Sequence, residues 1–327
     1  MKKIRAGIIG GAGYTGGELI RLLLNHNEVE IVFVQSKSNF GKYIYEVHTD
    51  LLGDTNLIFS QTLSDEIDVL FLCLAHGDSV KFLNENILNQ QIKIIDLSQD
   101  FRIDASYPNN KRKFVYGLPE LNRDQILEAS NIANPGCFAT CIQLALLPAA
   151  DQGLLQSEIH ISATTGSTGA GQSLSVTSHF SWRNDNLSFY KAFEHQHLSE
   201  IKQSLHQLQS STTPKLNFIP QRGAFARGIY AACYFDCDKS VAEMYDLYSF
   251  YYETHPFVFV SKTNIDLKHV VNTNKCILYL EKHGNKIIIA SVIDNLLKGA
   301  SGQAVQNMNL LFGLEETSGL KLKAIAY

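Results

Sequence analysis

Apolar residues at positions 4–9 run into Gly10-Gly11-Ala12-Gly13-Tyr14-Thr15-Gly16-Gly17, and Leu19, Ile20, Leu22, Leu23 and Leu24 then recur at helical spacing. This pattern predicts a buried strand, a glycine turn and a helix. Further β-like runs lie at residues 30–35, 69–74 and 92–97. Strands alternating with helices imply a parallel sheet with right-handed crossovers. The first part of the chain therefore reads as a doubly wound, Rossmann-type nucleotide-binding domain.

The texture changes after about residue 150. Residues 159–164, 216–220, 228–235, 276–281 and 286–293 read as strands with few intervening helices. The expected fold class is α/β: a Rossmann-type domain plus an α+β domain with a largely antiparallel sheet. A Gly/Ser/Thr loop occupies residues 165–173. Residues 302–312 have the spacing of an amphipathic helix.

Within the glycine turn, Gly11-Ala12-Gly13-Tyr14-Thr15-Gly16 satisfies G-x-G-x-x-G after a strand and before a helix. That context favours a dinucleotide, with backbone close to the pyrophosphate and its charge at a helix N-terminus. The end of the second strand reads Gln35-Ser36-Lys37-Ser38 and has no acid to hold a ribose 2′-hydroxyl. Two hydroxyls and a cation suit a 2′-phosphate, so NADP is the expected cofactor.

Asn134-Pro135-Gly136-Cys137 places a cysteine after a Pro-Gly turn and before an apolar run, residues 138–150, that reads as a helix. A thiol at a helix N-terminus meets unpaired N–H groups and a favourable dipole, which lower its pKa and make it a nucleophile. A buried structural cysteine fits the same local pattern.

Composition narrows the setting. The chain has 327 residues, enough for two domains, with 45% hydrophobic and 18% charged residues and a formal net charge of −4. No basic surplus exists for nucleic acid, and no apolar run is long enough for a membrane span. A cytoplasmic location is expected. The six cysteines are widely spaced and make no disulfide framework. The C-x3-C spacings at Cys137/Cys141 and Cys233/Cys237 do not suit zinc, so no metal site is expected.

Nine segments, in order along the chain, carry a resemblance to a known family. They are residues 10–19 (GGAGYTGGEL), 74–79 (LAHGDS), 96–102 (DLSQDFR), 115–121 (VYGLPEL) and 134–140 (NPGCFAT). Residues 166–171 (GSTGAG), 195–201 (HQHLSEI), 226–229 (ARGI) and 294–309 (DNLLKGASGQAVQNMN) complete the set. The chain resembles the N-acetyl-gamma-glutamyl-phosphate reductases of the semialdehyde-dehydrogenase group. The resemblance implies a cytoplasmic enzyme of arginine biosynthesis that reduces an N-acyl-γ-glutamyl phosphate with NADPH. It implies a homo-oligomer, dimer or tetramer, with the second domain at the interface.

It also implies an NADP-binding domain at 1–136, a catalytic and oligomerisation domain at 137–300, and a C-terminal helix at 301–327 returning to the first. The family nucleophile maps to Cys137, and its H-x-H-x-x-E segment to His195, His197 and Glu200. Gly10, Gly13, Tyr14, Thr15, Gly16, Ser36, Lys37, Ser38 and Asn295 map to the cofactor site. Arg227, Ser167 and Arg102 are the candidate substrate-binding residues. A guanidinium grips a carboxylate or phosphate in bidentate fashion, although a structural ion pair fits Arg227 equally well. The Ser/Thr-rich turn at 166–171 offers backbone N–H groups to an oxyanion.

Two acid/base candidates remain: His197 is favoured, with His195 in a supporting or substrate-binding role and Glu200 orienting an imidazole. Two departures stand out. Phe138 and Ala139 replace the family's common Tyr-Pro after the cysteine, and Gln221 stands where many members carry histidine. The alternatives are an aspartate-semialdehyde dehydrogenase, a lysine-pathway aminoadipyl-phosphate reductase and a non-catalytic NADP sensor.

Overall fold

The structure, a computed structural model, describes residues 2–103, 112–211 and 214–326. It divides into two compact units: Met1–Pro135 with Ala300–Lys321, and Gly136–Gly299 with Leu322–Tyr327.

The first unit contains β1 (Ile4–Ile9), α1 (Tyr14–Leu24), β2 (Val29–Gln35), β3 (Val69–Leu72), α2 (Asp78–Glu85), β4 (Lys93–Asp96), β5 (Val115–Tyr116), α3 (Pro119–Leu127) and β6 (Asn131–Ala133). Its six-stranded sheet has the order β2-β1-β3-β4-β6-β5, and every pairing is parallel. All four residues of β3 are buried, as expected of a strand covered on both faces. β5 and β6 are too short to show as periodic runs.

The second unit opens with α4 (Cys137–Asp151), followed by β7 (Ile159–Thr165), α5 (Phe180–Arg183), β8 (Ser188–Phe189) and α6 (His197–Leu208). Then come β9 (Leu216–Arg222), β10 (Ile229–Asp236), α7 (Val241–Tyr252), β11 (Val258–Ser261), β12 (Cys276–His283) and β13 (Lys286–Ile293). The seven strands are ordered β11-β12-β13-β10-β7-β9-β8. Four neighbouring pairs are antiparallel, but β11 with β12 and β7 with β9 are parallel. The sheet is therefore mixed, where a largely antiparallel one was expected. The twelve-residue helices α6 and α7 also exceed the expectation of few helices here.

Helix α4 is buried from Phe138 to Ala150 and contains Pro148. A proline has no N–H for the carbonyl four residues earlier. The Tyr252 hydroxyl donates to that Leu144 carbonyl at 2.6 Å instead, and Tyr248 donates to the Ala145 carbonyl at 2.6 Å.

The chain re-enters the first unit with α8 (Gly302–Leu311), which packs on α1 and α3. All ten of its residues are buried, so it is not the one-sided amphipathic helix its spacing predicted. Its amides find internal partners. Asn309 bonds His26 and the carbonyls of Glu316 and Ser318, while Gln303 and Asn307 both donate to the Gly117 carbonyl at 2.9 Å. The bonded groups make such burial tolerable, while Gln303 Oε1 and Asn307 Oδ1 are buried without a hydrogen-bond partner among the described residues.

Candidate active site

In the second unit, Cys137 is the first residue of α4, and Gly136 is its N-cap in extended backbone. The Gly136 N–H donates to Glu200 Oε2 at 2.9 Å, within a buried pair. Glu200 lies in the first turn of α6, whose first residue is His197. His197 Nε2 is 3.9 Å from Glu200 Oε1. The H-x-H segment thus leads into a helix start, with Gln196 as the N-cap. Gly299 packs against the same turn: a Cβ there would lie 2.8 Å from Cys137 Cβ.

His195 precedes α6, and its Nδ1 accepts from the His197 backbone N–H at 3.2 Å. The two rings meet edge-on with centroids 4.6 Å apart. Phe138 packs edge-on against both, at 5.5 Å from His195 and 6.3 Å from His197. Burial, then the charges of Lys191 and Arg222, lower His195 from 6.5 to about 4. Its imidazole is therefore neutral at pH 7. With Nδ1 accepting, the ring proton sits on Nε2.

Arg227 Nε donates to Asp294 Oδ2 at 3.0 Å, and Nη2 lies 3.0 Å from the same oxygen. Asp294 is fully buried and also accepts from the backbone N–H groups of Asn272, Leu296 and Leu297. Asn295 uses both ends of its amide within the protein, accepting from Gly228 N–H at 2.7 Å and donating to Thr168 Oγ1 at 2.9 Å. Ser167 starts a short 3₁₀ turn and is half-buried. The amides of Gly166, Ser167, Thr168, Gly169 and Gly171 all donate to protein carbonyls. They do not point outward as the oxyanion cradle expected of this turn. Gln221 accepts from Thr164 Oγ1 at 2.9 Å, which binds it to β7.

The reading from sequence alone passed over Tyr190, Asp294 and Gly299. Tyr190 lies 5.8 Å from the His195 ring, under the Arg222 guanidinium at 4.7 Å. Burial raises its phenol to about 12, opposed by Arg222 and reinforced by Cys137. Asp294 and Gly299 lie inside a recognised segment, but nothing in their spacing assigns them a task.

In the first unit, the three glycines do different jobs. Gly10 has φ +78°, and a Cβ there would meet the Cys73 carbonyl at 2.4 Å. A Cβ on Gly16 would meet the Gly11 backbone at 2.7 Å. Gly13, the N-cap of α1, has nothing nearer than 3.8 Å, so the protein itself does not require glycine there. A tight turn, an open approach and a close helix contact are what a dinucleotide's pyrophosphate needs. Tyr14 and Thr15 occupy the first turn; Tyr14 is exposed, and the Thr15 carbonyl accepts from Ser301 Oγ at 2.8 Å. Ser36 is buried with its N–H on the Ser60 carbonyl, Lys37 is exposed, and Ser38 Oγ accepts from Asn39.

Arg102 is buried in the first unit and donates to the carbonyls of Asn134 at 2.8 Å and Leu97 at 2.9 Å. It braces the backbone that leads into Gly136. Among the described residues, no three His, Cys, Asp or Glu side chains gather as a metal site, and no helix is long and apolar enough to cross a membrane.

Residues 5–129 match the family model described as semialdehyde dehydrogenase, NAD binding domain, and residues 137–295 match semialdehyde dehydrogenase, dimerisation domain. The chain is 58% identical to the N-acetyl-gamma-glutamyl-phosphate reductase of Parabacteroides distasonis, over 99% of this chain and 100% of that one. The chain belongs to the N-acetyl-gamma-glutamyl-phosphate reductase family. A second member, from Christiangramia forsetii, is 58% identical over 98% of this chain and 99% of its own. The fold is also that of aspartate semialdehyde dehydrogenase II from Vibrio cholerae, with TM-score 0.73, 16% identity, and 95% and 99% of the two chains covered. The Candida albicans aspartate semialdehyde dehydrogenase, solved with NADP, aligns with TM-score 0.68 and 15% identity over 95% of this chain and 99% of that one.

Proposed function

We propose that this protein reduces an N-acyl-γ-glutamyl phosphate to the N-acyl-glutamate semialdehyde with NADPH, releasing phosphate, as a cytoplasmic step of arginine biosynthesis. The observation that carries the reading is the Glu200–Gly136 bond, which ties the Cys137 helix start to the helix bearing His197. The names of the relatives at 58% identity support the substrate. The likeness to aspartate semialdehyde dehydrogenases speaks for the fold alone.

Cys137 Sγ attacks the γ-carbonyl carbon, the C–O bond to phosphate breaks, and a thioester remains. The helix N-terminus favours the thiolate and steadies the oxyanion formed on attack. When bound, a nicotinamide cofactor would supply the hydride that reduces this thioester. The resulting thiohemiacetal then expels the Cys137 thiolate to give the aldehyde. His197 protonates and deprotonates the oxygen, with Glu200 beside it. His195 keeps its Nε2 proton and serves as a neutral donor to the substrate.

Gly10, Gly13, Tyr14, Thr15 and Gly16 would hold the cofactor's pyrophosphate, and Ser36, Lys37 and Ser38 would hold its 2′-phosphate. Asn295 shapes the turn at Thr168, on which Ser167 meets the substrate. Arg227, oriented by Asp294, faces the substrate's α-carboxylate, and Arg102 acts through the backbone it braces. The dimerisation domain works within a homo-oligomer, dimer or tetramer. Leu174, Phe180 and Phe189, each at least 69% exposed, offer apolar surface for a second copy.

The test is NADPH oxidation with N-acyl-glutamyl phosphates and aspartyl phosphate, repeated with NADH. A folded Cys137→Ser variant is expected to lose turnover by at least roughly a thousandfold. Retention of most kcat, or a preference for aspartyl phosphate, overturns the reading.

A further inference from the structure

Two guanidiniums share one corner of the second unit. Arg183 closes α5 and Arg222 closes β9. Arg183 Nη1 donates to the Arg222 carbonyl at 2.7 Å, while Nε and Nη2 both reach the Thr177 carbonyl at 3.3 Å. Its plane lies 4.8 Å from the Trp182 ring. Arg222 lies over Tyr190, and its buried Nε has no hydrogen-bond partner among the described residues. No ion pair joins either arginine to a carboxylate among those residues. Lys191, which acts together with Arg222 on the neighbouring His195, is also positive.

Like charges in a partly buried space repel and lose hydration, and an anion that accepts from both offsets this cost. Burial, followed by Arg222, lowers the Arg183 pKa, consistent with two cations held close together. The acyl phosphate brings two anionic groups, an α-carboxylate and a phosphate, that every N-acyl variant of the substrate shares. Arg222 instead belongs to the Pro220-Gln221-Arg222 segment, where the chain departs from the family's usual Pro-His. A local departure matches a part of the substrate that varies, and the variable part is the acyl group.

We propose that Arg183 and Arg222 form the subsite for the N-acyl group and select an acyl chain that ends in its own carboxylate, such as succinyl, over acetyl. This rests on the function proposed above and names the substrate class of that site. Tyr190 joins the pair to the His195 side of the site, with Arg222 4.7 Å over its ring and the His195 ring 5.8 Å away.

The experiment follows NADPH formation by the full-length protein from N-succinyl- and N-acetyl-glutamate semialdehyde with NADP and phosphate. The expected result is a kcat/KM at least roughly tenfold higher for the succinyl compound. Arg222→Gln should lower the succinyl-to-acetyl ratio roughly 10- to 100-fold, with Arg222→Lys restoring part of it. An equal loss on both substrates, or a wild-type preference for acetyl, overturns the proposal and assigns the pair to the shared carboxylate or phosphate. Calorimetry with N-succinyl- and N-acetyl-glutamate reads the subsite without turnover and serves if the variant fails to fold. Tighter binding of the succinyl compound by the wild type supports the subsite, and equal binding sinks it. Turnover of neither semialdehyde, together with selective succinyl binding, defeats the proposed reaction while leaving the subsite standing.

Discussion

Glu200 accepts a 2.9 Å hydrogen bond from the Gly136 N–H, and through it the first turn of α6 holds the first turn of α4. Both groups are buried, and 64 residues separate them along the chain. The carboxylate therefore serves two neighbours at once, the amide before Cys137 and the His197 ring.

Glu200→Gln keeps an acceptor for Gly136 but removes the negative charge beside His197. Its unfolding free energy should stay within about 1 kcal/mol of wild type, while kcat falls about 100-fold. Glu200→Ala leaves the Gly136 amide without its partner and should cost a further 1–3 kcal/mol or so. Urea unfolding together with steady-state kinetics separates the two effects.

The glycines of the nucleotide turn should part company when each is changed to alanine. Gly10→Ala meets the Cys73 carbonyl at φ +78° and is expected to lower stability by about 2 kcal/mol or more. Gly13→Ala has room within the protein, so its melting temperature should not move, yet NADP binding should weaken at least roughly tenfold. Thermal melts without nucleotide and a nucleotide titration of each variant check this.

Asp294→Asn removes the carboxylate from its buried ion pair with Arg227. Removing one partner of such a pair costs about 3 kcal/mol. If Arg227 faces the substrate, KM should also rise more than kcat falls. A variant with wild-type stability would show that Arg227 finds another partner.

Asp96 and His195 bend the pH dependence of stability in opposite directions. Burial raises Asp96 from 3.8 to about 6, against the hydrogen bonds of Ser79 and Ser98 and the charge of Arg102. The folded chain keeps a proton that the unfolded chain releases, so this contribution is full below pH 3.8 and about 3 kcal/mol is lost as pH rises through 6. His195 is lowered from 6.5 to about 4, so its contribution is present above pH 6.5 and lost as pH falls through 4. Relative to wild type, Asp96→Asn should gain stability as pH rises from 4 to 6, and His195→Asn should gain as pH falls over the same interval. Urea midpoints across that range decide it.

Proton transfer should separate the two histidines. His195 takes up a proton only near pH 4, so it supplies no titration of kcat near neutrality. His197→Asn is expected to lower kcat by 100-fold or more, whereas His195→Asn should mainly raise KM. The reverse pattern would assign the acid/base to His195.

Much of the frame was legible before any coordinates. β1, the Gly10–Gly16 turn, α1 and the helix after Gly136 lie where apolar spacing and glycine chemistry put them. β5, β6 and β8 have three residues or fewer, too short for periodicity to register. Helix α8 looked amphipathic because its amides read as solvent-facing, yet their NH2 groups donate to Gly117, Glu316 and Ser318, which the pattern cannot see.

The sequence by itself determined the strand–turn–helix order, a cysteine at a helix start, and the residue types around it. Those features depend on neighbours within a few positions of the chain. Only tertiary structure decided that Glu200 binds Gly136, that Arg227 faces Asp294 across 67 residues, and that His195 is neutral. It also decided that Arg183 and Arg222 meet with no carboxylate paired to either among the described residues. Hydrogen-bond partners, desolvation and charge pairing arise between segments far apart in the chain, and local pattern carries no record of them.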